Sequence, residues 1–215
     1  MLAHPSRLAF AALLALSFAA CGDDDDGGGT IDAPTALDAP GGGGDGGNTD
    51  AAAAPTCSDY CTTIATNCTG TNLMYANTAE CMATCSKFTA GTVGQTSGNT
   101  LGCRLYHAGN AAGSMQNANT HCRHGGPGGD GLCGSNCEGF CTIVQGSCAG
   151  QASPPYADMG ACMTACGNYA TTPIYVAPQT GGNHLTCRLY HATAAANAPA
   201  QHCSHTSMAG GGVCQ

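Results

Sequence analysis

The sequence predicts a small, mainly α-helical, disulfide-rich fold. It consists of two tandem repeats, each of about three short helices with four disulfides, after a disordered tether. Three observations lead there. The hexapeptide Cys-Arg-Leu-Tyr-His-Ala occurs at 103–108 and again at 187–192. Each copy holds the same place in a ladder of cysteines: Cys57, Cys61, Cys68, Cys81, Cys85, Cys103, Cys122 and Cys133, then Cys137, Cys141, Cys148, Cys162, Cys166, Cys187, Cys203 and Cys214. Large apolar side chains are scarce and Trp is absent. A unit of about 80 residues built this way cannot assemble a deep core and needs covalent staples. The repeats are 57–133 and 137–214, read as two small domains. The offset is 80 between Cys57 and Cys137 and 81 between Cys133 and Cys214. The gaps differ by one residue between Cys68 and Cys81 and by three on either side of Cys103, where loops change length, as drifting repeats do.

Residues 1–20 read as an export signal. A short head with Arg7 precedes the apolar run 8–20, which is too short to span a bilayer as a mature helix. The run ends Ser17-Phe18-Ala19-Ala20-Cys21. This resembles the lipobox of bacterial lipoproteins, with Phe18 where that family usually has Leu, and implies a lipid on Cys21. Parity agrees, because the chain has 17 cysteines and setting Cys21 aside leaves an even number, eight per repeat. Dense cysteine pairing belongs to an oxidising, exported compartment. A cytosolic zinc protein is disfavoured, since no Cys-x-x-Cys occurs.

Residues 21–56 form the lipidated cysteine and its tether. Beyond Cys21 it is mostly Gly, Asp, Ala, Pro and Thr, with eight aspartates and no basic residue. Such a segment stays disordered and reaches roughly 30–35 Å on average. It would hold the repeats off a membrane; the run Asp23–Asp26 lacks the spacing of a calcium loop. The repeats themselves are near neutral, with Asp59, Glu80, Asp130, Glu138 and Asp158 against Lys87, Arg104, Arg123 and Arg188. They offer no basic face for nucleic acid.

Within a repeat, Thr56 with Asp59, and Ser135 with Glu138, read as helix starts. Cys57, Cys61 and Cys68 then share one helix face. Asn77 with Glu80 opens a second helix bearing Cys81 and Cys85. Two helices, each with Cys-x-x-x-Cys and joined by a loop, resemble the disulfide-stapled α-hairpin of small plant defence peptides. That likeness implies an antiparallel pair with outer cysteines facing outer and inner facing inner. The implied bonds are Cys57–Cys85 and Cys61–Cys81, and by repetition Cys137–Cys166 and Cys141–Cys162. It covers about 30 residues of each repeat and carries no activity over. Thr69–Ala79 also lacks the Lys or Arg a trypsin inhibitor would show. A third helix is expected from Asn99 or Asn183 as cap, running to about Gly113 or Asn197. Cys68, Cys103, Cys122 and Cys133, with their counterparts Cys148, Cys187, Cys203 and Cys214, retain three possible connectivities.

Histidine supplies the only candidate chemistry. His107, His121 and His124 recur as His191, His202 and His205. Three-residue spacing lets His121 and His124 face one point, and His107 completes a possible three-His site for zinc or copper. The competing reading is structural: His107 bonding a helix carbonyl, His121 and His124 closing a helix end. His184 has no twin and is given no role. Haem attachment and thiol–disulfide exchange lack their Cys-x-x-Cys. No acid pair recurs between copies at its own position, so no hydrolytic site is assigned. Arg104 and Arg188 read as helix-surface ion partners, Tyr106 and Tyr190 as core or half-core. The layout, from Cys21-Gly22-Asp23-Asp24 onward, resembles Cys-rich repeat lipoproteins of myxobacterial type. The expectation is a non-enzymatic binding or structural module in the cell envelope, anchored through Cys21 to a membrane, at the outer membrane or cell surface. Its ligand there is an unknown surface or extracellular partner. It needs no cofactor; the alternative is a zinc- or copper-binding protein.

Overall fold

Helix α1 (Cys57–Asn67) begins where Thr56 Oγ1 accepts the Asp59 N–H at 3.1 Å. Helix α2 (Thr78–Cys85) begins where Asn77 Oδ1 accepts the Glu80 N–H at 2.9 Å. Each polar cap satisfies an amide that the first helical turn leaves without a partner. The structure, a computed structural model, describes residues 53–215; the expected signal peptide, Cys21 and most of the tether lie outside the described residues. The first repeat continues with α3 (Leu101–Asn110) and α4 (Met115–Gly125). The second has α5 (Asn136–Cys148), α6 (Met159–Cys166), α7 (Leu185–Asn197) and α8 (Pro199–His202). Ser135 and Glu138 form a full capping box on α5, and Asp158 caps α6. The fold is thus a small, disulfide-rich helical one without strands among the described residues.

A fourth helix per repeat exceeds the three expected, because the third helix is shorter in the first copy. It stops at Asn110, and Ser114 then caps a new helix. In the second copy the third helix reaches Asn197, and Pro199 opens a single further turn. The expected caps Asn99 and Asn183 are displaced by one residue. Thr100 Oγ1 accepts the Cys103 N–H at 3.2 Å, and His184 Nδ1 accepts the Cys187 N–H at 3.1 Å. The asparagines are taken by another partner: Asn99 Oδ1 accepts from Arg104 Nη2 at 2.8 Å, and Asn183 Oδ1 from Arg188 Nη2 at 3.0 Å.

The hairpins α1–α2 and α5–α6 are closed by Cys57–Cys85, Cys61–Cys81, Cys137–Cys166 and Cys141–Cys162. The remaining bonds are Cys68–Cys122 and Cys103–Cys133, matched by Cys148–Cys203 and Cys187–Cys214. Cys68–Cys122 ties the end of α1 to α4, and Cys103–Cys133 ties the start of α3 to the last turn of the repeat. All eight bonds stay within a repeat.

The two repeats pack against one another within one compact unit. One hydrophobic cluster runs through both, from Tyr60, Ile64 and Met74 to Phe140, Ile143 and Leu189. Helix α2 lies against α7. The seam also carries backbone and side-chain bonds: Ala177 N–H donates to Leu73 C=O at 2.8 Å, Tyr175 Oη to Met74 C=O at 3.2 Å, and Asn99 Nδ2 to Thr142 Oγ1 at 2.9 Å. A core too thin to serve each copy is pooled between them.

Each copy keeps a phenol pair, buried in the first and part-buried in the second, but places it differently. In the first, Tyr60 and Tyr75 meet at 2.8 Å and Tyr60 donates to Gly125 C=O at 2.7 Å. In the second, Phe140 replaces Tyr60. Tyr156 instead meets Tyr169, which occupies the place of Phe88, at 2.7 Å, and donates to Thr206 C=O at 2.6 Å. Both arrangements tie the core to the segment that carries the last histidines. A buried hydroxyl without such a partner would cost about 1–3 kcal/mol.

Candidate functional site

Arg104 and Arg188 are fully buried, so they are neither surface ion partners nor accessible clamps for an anion. Each guanidinium works as an internal tie. Arg104 donates to Gly126 C=O (3.2 Å), Thr100 C=O (3.2 Å), Asn99 Oδ1 (2.8 Å) and Pro127 C=O (3.3 Å). Arg188 repeats the pattern on Ser207, His184, Asn183 and Met208 at 3.0–3.3 Å. The planes lie over Phe88 and Tyr169, at 3.7 and 4.0 Å from the ring centroids. Burial pulls the Arg104 pKa down, against the opposing pull of Tyr60, Tyr75 and Glu138. The planar five-donor fork suits several carbonyls at once, which a lysine cannot match. Through it, the start of the third helix is fastened to the turn that follows the last two histidines of the repeat.

That fastening brings the histidines together. In each repeat one ring nitrogen from each of the three lies within 4.8 Å of the others: His107, His121 and His124, and His191, His202 and His205. His107 Nδ1 is 3.1 Å from His121 Nδ1. His191 Nδ1 is 3.1 Å from His202 Nδ1 and 3.2 Å from His205 Nδ1. The Nδ1 of His124 is buried and has no hydrogen-bond partner. Three bonds of about 2.0–2.1 Å in tetrahedral array would place their nitrogens about 3.3 Å apart. The spacing therefore fits one small transition-metal ion per triad.

The rear nitrogen of the first histidine is also fixed. His107 Nε2 lies 3.1 Å from Thr96 C=O, and His191 Nε2 lies 3.5 Å from Thr180 C=O. A carbonyl can only accept, so Nε2 carries the proton and the neutral ring turns a bare Nδ1 lone pair into the triad. This is the support that metal-ligating imidazoles usually receive. Gly102 admits the loop in the first copy, since a Cβ there would collide with Thr92 C=O. Burial, then the neighbouring His107, pulls His124 below the ordinary histidine range. Burial takes His191 down to about 4, with His205 and His202 pushing the same way against the Thr180 bond. Burial also lowers His202 and His205. Deprotonated imidazole is the form that binds metal.

The sulfurs near the first histidine are not further donors. Cys103 and Cys133 sit close to His107, and Cys187 and Cys214 close to His191, but each pair is a disulfide. Tyr106 is 38 % exposed and stands edge-on to His107, and the half-buried Tyr190 stands edge-on to His191. His184 caps α7, with Thr186 Oγ1 at 2.8 Å from its ring.

The supporting threonines were missed from sequence. Their signal is a second short repeat, Gln95-Thr96-Ser97-Gly98-Asn99 against Gln179-Thr180-Gly181-Gly182-Asn183. It stands eleven residues before the first histidine in both copies.

No curated protein and no solved structure matches the chain. The BfoA family C-terminal domain matches it twice, over residues 44–138 and 135–215, in agreement with the two disulfide-stapled repeats. Together these matches span most of the sequence, and the chain belongs to the BfoA family, whose C-terminal domain it carries in tandem.

Proposed function

We propose that the chain is a non-enzymatic metal-binding module of the bacterial cell envelope, holding one zinc or copper ion at each histidine triad. The observation that supports this best is the convergence of three imidazoles in each repeat within 4.8 Å, with the Nδ1 pairs His107–His121, His191–His202 and His191–His205 at 3.1–3.2 Å and the rear nitrogen of the first ring bonded to a threonine carbonyl. A purely structural role for the histidines would leave His124 Nδ1 buried without a partner, a loss of about 1–3 kcal/mol that a metal ion would remove. Imidazole donors suit zinc and copper and disfavour magnesium and calcium. The chain would supply three neutral ligands per ion, and the disulfides a rigid frame around them. In this reading the lipid on Cys21 and the acidic tether carry the module at the outer membrane or cell surface.

The test is metal analysis of the oxidised, exported protein after dialysis against micromolar zinc or copper. Two ions per chain are expected, one after His107→Ala, and none after His107→Ala with His191→Ala. A wild-type protein that retains no metal, or a double variant that still holds two ions, would overturn the reading. Palmitate labelling of the wild type, lost in Cys21→Ser, tests the anchor.

A further inference from the structure

We infer that each metallated triad keeps one coordination position for a small inorganic anion from solution; this rests on the metal reading above. Counting donors leads there. Each triad supplies three nitrogens, and among the described residues no fourth His, Cys, Asp or Glu joins either group. The nearest sulfurs are bonded to each other in Cys103–Cys133 and Cys187–Cys214. The threonine carbonyls sit behind the first ring, on Nε2, away from the Nδ1 atoms that face one another. Zinc and copper(II) ordinarily take at least four ligands, and a three-ligand protein site completes its shell from outside.

The outer side of each triad is its more exposed one. His107 and His191 are buried, whereas His121, His124, His202 and His205 are only half-buried, although Nδ1 of His124 is itself out of solvent. An anion would approach past the second and third rings.

Charge selects the class of ligand. Three neutral imidazoles leave the charge of a divalent ion uncancelled. In the second repeat the two acids are used elsewhere: Glu138 accepts the Ser135 N–H, and Asp158 accepts the Ala161 N–H. In the first, Asp130 lies 3.6 Å from Arg123 and near enough to act on His124, but it is not one of the converging donors. A cationic centre without a carboxylate ligand favours an anionic donor.

The experiment uses the full oxidised chain loaded with cobalt(II), whose visible spectrum reports coordination, and azide as the probe. Two cobalt ions per chain and a saturable shift of the visible bands with azide are expected, with the amplitude halved in His191→Ala. Two bound cobalt ions whose bands do not move with azide would refute the open position and leave the metal reading standing. Failure to bind cobalt, zinc or copper would refute both.

Discussion

Replacing Arg104 by Lys tests whether a buried guanidinium, rather than a larger apolar core, holds the histidine-bearing turn in place. The guanidinium serves four acceptors, two of them the carbonyls of Gly126 and Pro127. An ammonium has three hydrogens in a tetrahedral fan on a longer, flexible stem, and it cannot reach both sides of the planar fork. About two acceptors would remain buried without a donor, at about 1–3 kcal/mol each. The stacking over Phe88 would weaken by a further ~0.5–1 kcal/mol. The expected loss is about 2.5–7 kcal/mol, a large part of the ~5–15 kcal/mol that holds an ordinary domain together. Guanidinium chloride unfolding of the oxidised protein measures it, and Arg188→Lys should cost a similar amount, since its contacts are equivalent. The lysine variant should also lose metal affinity in its own repeat, because Gly126 follows directly on α4 and its histidines. A change below about 0.5 kcal/mol in both variants would refute the assignment of these arginines as ties.

Removing the bond Cys68–Cys122, with a separation of 54 residues, should destabilise by about 4 kcal/mol, and removing Cys61–Cys81, with a separation of 20, by about 3 kcal/mol, on the loop-entropy scale; paired Cys→Ala variants in denaturant would show the order. Tyr60→Phe and Tyr156→Phe each delete a buried donor to a carbonyl at 2.6–2.7 Å and should cost about 1–2 kcal/mol by thermal unfolding. Glu80 lies 8 % exposed on α2, which packs against α7, with Oε2 unpartnered, and burial raises its pKa above the ordinary 4.5. Below 4.5 both folded and unfolded chains hold the proton, and as pH rises to the folded value the unfolded chain releases it first. Stability should therefore fall across that window and then level off, and Glu80→Gln should abolish the fall. A pH titration of the unfolding midpoint that is identical in both proteins would contradict this.

Much of the fold was legible because its signals are local. Thr56, Asn77, Ser135 and Asp158 each stand three residues before the amide they cap, so short-range pattern suffices. The four-residue spacing of Cys57 and Cys61, and of Cys81 and Cys85, puts each pair on one helix face, and the hairpin bonds follow. Other features depend on distant partners. Cys68 meets Cys122 only after α1 and α4 have packed, and no spacing along the chain encodes that. Arg104 looks like a surface residue in a helix, and its burial makes sense only once the carbonyls of Gly126 and Pro127 arrive to satisfy it. That same arrival takes Asn99 away from capping and leaves Thr100 to do it. The histidine triad was visible as a repeated set, but the threonine carbonyl behind it was not, because a backbone acceptor leaves little trace in residue type.

The shared interior has a consequence for how such a molecule can be divided. Leu73 and Met74 lend their carbonyls to a sister copy, that copy returns Ala177 and Tyr175, and Met74 and Leu189 share one cluster. A fragment cut at Gly134 would keep every one of its own sulfur bridges and still carry a raw, greasy face. Such a half would seek another half, and two first copies would have to meet through surfaces shaped for a different mate. The duplication would thereby be hard to undo, because each copy has come to finish the other's interior.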